Sequence, residues 1–148
     1  MPSKKKPRYK VTRVSFLNFL AQMSACQPAQ EWAYRTSGTP RQLWNKCNIE
    51  PTWLVWLVVT ASRCLRRDCS HSLVNSLHAA LDRSGVRFWN DYALWAQGHL
   101  AGEYQSSYER ACKKITKQQS DIVRERVPWD RIEKMLLRHH KDVFRIGG

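Results

Sequence analysis

An all-α fold, a compact single-domain bundle, is what this sequence predicts, and three observations carry that expectation. Apolar residues recur with a period near 3.6 over most of the chain. Prolines stand where helices would start, at Pro28, Pro40, Pro51 and Pro128, with glycines or polar clusters where they would stop. No Asn-Gly or Asp-Gly pair separates two alternating runs, so the hairpin signature of a β protein is missing. A chain of 148 residues suits one domain, and 43% hydrophobic residues with seven Trp supply its core. The expected organisation is a flexible basic arm over 1–13 and one domain of six or seven helices over 14–146.

The arm, MPSKKKPRYKVTR, carries six basic residues and no acid, and Pro2 and Pro7 work against regular structure. SFLNFLAQM follows, a short helix or a hydrophobic extension of the arm. Pro28 suits the first turn of a helix over 27–36 that ends near Gly38. Thr39-Pro40 reads as N-cap and first residue of a helix through Cys47. Glu50-Pro51 opens a helix over 51–65 that is apolar nearly all round, which places it centrally. A strand competes there, because Val and Trp favour strands. Pro51 at its start and Arg63, Arg66 and Arg67 at its end favour the helix, since cations complement the C-terminal end of its dipole.

Asp68 or Ser70 is expected to cap a helix with Leu73, Val74, Leu77 and Leu81 on one face, stopped by Gly85. Phe88, Trp89, Tyr92, Trp95, Ala96 and Leu100 mark the next one, interrupted by Gly98 and Gly102. Tyr104, Tyr108, Ala111, Ile115 and Ile122 predict a long helix to about Arg126. Pro128 opens the last, with Asp130 and Glu133 in its first turn and Ile132, Leu136 and Val143 inward.

Trp32, Trp44, Cys47, Trp53, Trp56 and Trp95 are expected in the core. A platform for stacking bases needs rings that alternate with exposed cations, and no Lys or Arg lies between Ile49 and Ser62. The longest apolar block, over 53–59, is far short of the roughly 20 residues that span a bilayer. Neither a membrane nor a secretory leader is expected. Five Cys, an odd number without a leader, fit free thiols in a reducing compartment, so the expected location is cytoplasmic.

Charge points to the partner. Twenty-five basic against twelve acidic side chains give +13, a field that attracts polyanions. Three groups concentrate it: Lys4, Lys5, Lys6, Arg8, Lys10 and Arg13 in the arm; Arg63, Arg66 and Arg67; and Arg110, Lys113, Lys114 and Lys117. The last four recur at i, i+3, i+4, i+7 on one helix face, a stripe able to follow a phosphate backbone. The expected partner is nucleic acid or a nucleoprotein complex, with an acidic protein as the alternative.

No motif of catalysis accompanies this charge. A Walker loop, GxSxG and HExxH are all missing, and no cofactor is implied. Cys64, Cys69 and His71 form C-x4-C-x-H without the second ligand pair of a zinc finger, and adjacent His139 and His140 point about 100° apart on a helix. The expected function is therefore non-enzymatic: a basic protein acting as inhibitor or modulator of a nucleic-acid-handling machine. A nuclease using His or Cys is the enzymatic rival.

ACQPAQEWAYRTSGTPRQLWNKCNIEPTWLVWL, residues 25–57, resembles the N-terminal signature of the immunity-protein-5-like family of small helical bacterial and phage proteins. Its marks are Ala25-Cys26, Trp32, Trp44, Cys47, Trp53-Leu54 and Trp56-Leu57. WAQGHLAGEYQSSYERA, residues 95–111, resembles that family's later aromatic-x-x-Gly segment. The chain departs at Thr52, where the family pattern often has Asp. The resemblance implies a helical domain with structural Trp and Cys, no catalytic residue, and a phage or mobile-element origin. An anti-CRISPR or other anti-defence role is the specific expectation in that setting, and a protein-directed, immunity-type inhibitor is its alternative.

Overall fold

The computed structural model describes residues 7–63, 72–98 and 104–146. Among them are seven α-helices: α1 (Arg13–Gln22), α2 (Gln27–Arg35), α3 (Pro40–Lys46), α4 (Pro51–Ala61), α5 (Ser72–Gln97), α6 (Tyr104–Arg126) and α7 (Trp129–His139). A 3-10 turn, Lys141–Phe144, follows. Two short strands, β1 (Arg8–Tyr9) and β2 (Arg145–Ile146), pair antiparallel. The fold is all-α, as the periodicity predicts.

Helix starts follow local chemistry. Thr12 with Ser15 and Thr39 with Gln42 form capping boxes at α1 and α3, each satisfying two orphan N–H groups. Pro28, Pro40 and Pro51 occupy first-turn positions, where no N–H is needed.

The core gathers around α4, which packs on α6 and α7. Leu54, Leu57, Val58 and Ala61 are buried there with Phe19, Leu43, Trp44, Cys47, Ile132, Leu136 and Phe144. Trp129 joins them, its ring edge-on to Phe16 at 5.7 Å. Trp44 is fully buried, whereas Trp32, Trp53 and Trp56 are half-buried against the same core. All four line a cavity of about 300 Å³ among α1–α4, with Trp32 and Trp53 6.4 Å apart.

Three expectations need correction. The arm is tied down from Arg8 onward: β1 pairs with β2, Lys10 N–H donates to the Phe144 carbonyl, and the Lys141 ammonium sits over the Tyr9 ring. Residues 1–6 lie outside the described residues, as do Arg66, Arg67, Asp68 and Ser70. Gly85 does not stop a helix; α5 runs through it for 26 residues. A C-terminal glycine stop uses the left-handed region, and among described glycines only Gly38 has positive φ. At Gly85 the missing side chain instead admits Gln119 of α6, whose Nε2 would lie 3.4 Å from an added Cβ. Trp95 is not core, being 41% exposed.

Its position explains that exposure. The pairs Tyr92–Ser107, Leu81–Gln119 and Ser76–Arg126 show α5 and α6 running antiparallel. Val74 and Leu77 of α5, Val123 of α6 and Val127 just after it join the central core cluster. Ala80, Ala111 and Ile115 are buried outside it. Away from that cluster along the pair, Val86, Leu94, Trp95 and Tyr108 are exposed.

Candidate nucleic-acid interface

Part of the positive charge is structural. Arg13 of α1 donates to the carbonyls of Ala33, Tyr34, Thr36 and Gly38 at 2.7–3.1 Å, closing the C-terminal end of α2. Arg124 of α6 does the same for α3, reaching the carbonyls of Trp44 and Cys47 and also Asn48 and Asp121. His140 Nε2–H donates to the Thr60 carbonyl of α4 at 2.8 Å. The last carbonyls of a helix lack intrahelical partners and carry its negative dipole end, so cationic or N–H-bearing side chains suit them. Arg13 therefore leaves the expected binding set: its fork is engaged on backbone oxygens.

The remaining expected cations divide by location. Lys4, Lys5, Lys6, Arg66 and Arg67 lie outside the described residues. Arg8 and Lys10 are exposed at the terminal ribbon, near Lys141 and Arg145. Arg63 is exposed just after α4. Arg110, Lys113, Lys114 and Lys117 are exposed on α6, and Lys117 is paired with Asp121 at 3.1 Å. Asp121 itself is held below the usual carboxylate range by hydrogen bonds from Arg124 and Lys117.

Arg110 and Lys114 stand apart because α5 completes a groove beside them. Two adjoining clefts of about 500 and 530 Å³ share Phe88, Asp91 and Gln118 and follow the seam between α5 and α6. One cleft presents Arg83 and Arg87 of α5; the other presents Arg110 and Lys114 of α6 with Tyr92 and Trp95. Four cations against one carboxylate, Asp91, leave the lining strongly positive. Low-dielectric helix walls focus that field into the groove.

An aromatic cluster fixes this end of the hairpin. Trp89 lies edge-on to both Phe88 and Tyr92 at 5.2 and 5.6 Å and tilted against Tyr108 at 5.7 Å. Tyr92 stacks at a 35° tilt on Trp95, with centroids 5.7 Å apart, and shares a hydrogen bond with Ser107 at 3.2 Å. Rings and cations therefore alternate along one seam, the pattern expected of a surface that neutralises phosphates and stacks bases. Sequence reading missed Arg83, Arg87 and the aromatic lining. Their signal was present: Arg83, Arg87, Phe88, Asp91, Tyr92 and Trp95 share a helix face once Gly85 no longer divides the segment.

Among the described residues no group of three His, Cys, Asp or Glu could hold a metal ion. Cys64, Cys69 and His71 lie outside them. No helix of the described residues is long and apolar enough to cross a membrane. No protein-family model, curated protein or solved structure matches the chain.

Proposed function

We propose that the protein is a non-enzymatic, basic binding protein that holds nucleic acid along the α5–α6 seam. The observation that carries this reading is the convergence of Arg83, Arg87, Arg110 and Lys114 on a groove lined by Phe88, Tyr92 and Trp95. Phosphates supply the complementary charge, and released counterions drive the association. The exposed ribbon cations Arg8, Lys10, Lys141 and Arg145 add non-specific attraction at a second place. A protein of this kind acts by occupancy, so its proposed role is to inhibit or modulate machinery that needs the same nucleic acid, an anti-defence role included.

Fluorescence anisotropy of labelled oligonucleotides, titrated at several salt concentrations, tests the reading. Affinity is expected to fall linearly on a log–log scale as salt rises, by roughly 0.7–0.9 per phosphate neutralised. The double variant Arg110→Glu/Lys114→Glu is expected to weaken binding and flatten that slope. No detectable binding of DNA or RNA at low salt would overturn the proposal.

A further inference from the structure

Resting on that reading of the groove, we infer that it is a single-strand site, in which unpaired bases stack on Trp95 while neighbouring phosphates meet Arg110, Lys114, Arg87 and Arg83 along the seam. One observation favours single strands over a duplex. Trp95 is 41% exposed at the cleft, and the Tyr92 ring packs against it at 5.7 Å. A duplex hides the faces of its bases in the stack and offers only their edges, so an indole cannot stack on them without flipping one out. An unpaired strand presents those faces freely, and stacking tolerates any base.

The charge order agrees. In the antiparallel register Lys114 faces the level of Arg87 and Arg110 that of Asp91, so the cations run from Arg83 to Arg110 and Trp95 stands just past them. The stretch 83–95 is about 18 Å long at the rise of an α-helix, room for a short run of nucleotides. A basic stripe built only for a duplex backbone needs no exposed indole.

The test compares four ligands on the full chain at low salt: oligodeoxythymidylate, oligouridylate, a duplex of equal length, and inorganic polyphosphate, which has charge but no bases. Wild type, Trp95→Ala and Trp95→Phe are measured with each. The inference expects both single strands to bind more tightly than duplex and polyphosphate. Trp95→Ala should weaken single-strand binding about tenfold while leaving the other two ligands unchanged, and Trp95→Phe should restore most of the loss. Equal binding of all four ligands, insensitive to Trp95, overturns the single-strand inference and leaves a plain electrostatic interface. Binding of none overturns the nucleic-acid reading itself.

Discussion

Arg13 Nη1 donates to the carbonyl of Thr36 at 2.7 Å, joining the first turn of α1 to the end of α2 across 23 positions. Three more carbonyls share the same guanidinium. Replacement by Ala leaves helix-end oxygens without donors, and Lys cannot reproduce a planar fork. Arg13→Ala is expected to cost about 2–3 kcal/mol of stability, with Arg13→Lys recovering only part of it. Urea denaturation of both variants measures this. Unchanged midpoints would return Arg13 to the pool of surface charges.

His140 provides a pH test. Burial holds its imidazole below the ordinary 6.5; the Thr60 carbonyl opposes that shift, and the charges of Arg63 and His139 reinforce it. Its ring also lies edge-on to Phe19 at 5.0 Å. With a depressed folded value, the unfolded chain takes up a proton first as pH falls. The contribution is fully present above about pH 6.5, declines below that value, and levels off under the folded one. Melting temperature should therefore drop between about pH 7 and pH 5, and His140→Gln should flatten the profile across that window. Asp121 acts lower, where its depressed value makes stability decline only below 3.8.

Two glycines predict opposite outcomes. Gly38 has φ +129°, and an added Cβ would fall 2.7 Å from Gln42 Oε1, the acceptor for the Thr39 N–H. Gly38→Ala is expected to destabilise by more than about 1 kcal/mol. Gly85 has ordinary helical backbone within α5, so Gly85→Ala should stabilise by about 0.5–1 kcal/mol if Gln119 yields slightly. Thermal melts of the pair decide both signs.

Cations inside and outside the groove should differ in effect. Arg83, Arg87, Arg110 and Lys114 line it, whereas Lys113 and Lys117 belong to neither cleft. Asp121 already offsets Lys117. Reversing Arg87 and Lys114 should reduce the salt dependence of oligonucleotide binding by about two phosphates' worth. Reversing Lys113 and Lys117 should change it by less than half as much. Equal losses would mean a diffuse surface field in place of a groove.

Thiol chemistry offers a check on the core. Burial pushes the Cys47 thiol up, overcoming the lowering influence of Ile49 N–H and Arg124, whereas Cys26 is exposed. Iodoacetamide followed by mass mapping should label Cys26 in the native protein long before Cys47. Comparable rates would show that the cavity lined by both opens readily.

Fold class was legible because its signals are local. A period of 3.6, Thr39 before Pro40, and Pro51 before an all-apolar run fix helices without reference to distant partners. Gly85 misled for the same reason: a local helix breaker is overridden when packing against Gln119 and α6 holds the chain helical. That error hid Arg83 from Trp95.

The sequence by itself determined the helices, the apolar α4 at their centre and a large positive charge. Only the tertiary structure decided what each charge does. Arg13 and Arg124 turn to carbonyls that lie 20–25 and 77–80 positions away, while Arg110 and Lys114 come beside α5 in an open seam. Helical periodicity acts over a few residues, whereas the partner of a long cationic side chain is set by which helix ends and faces the folded chain brings near it.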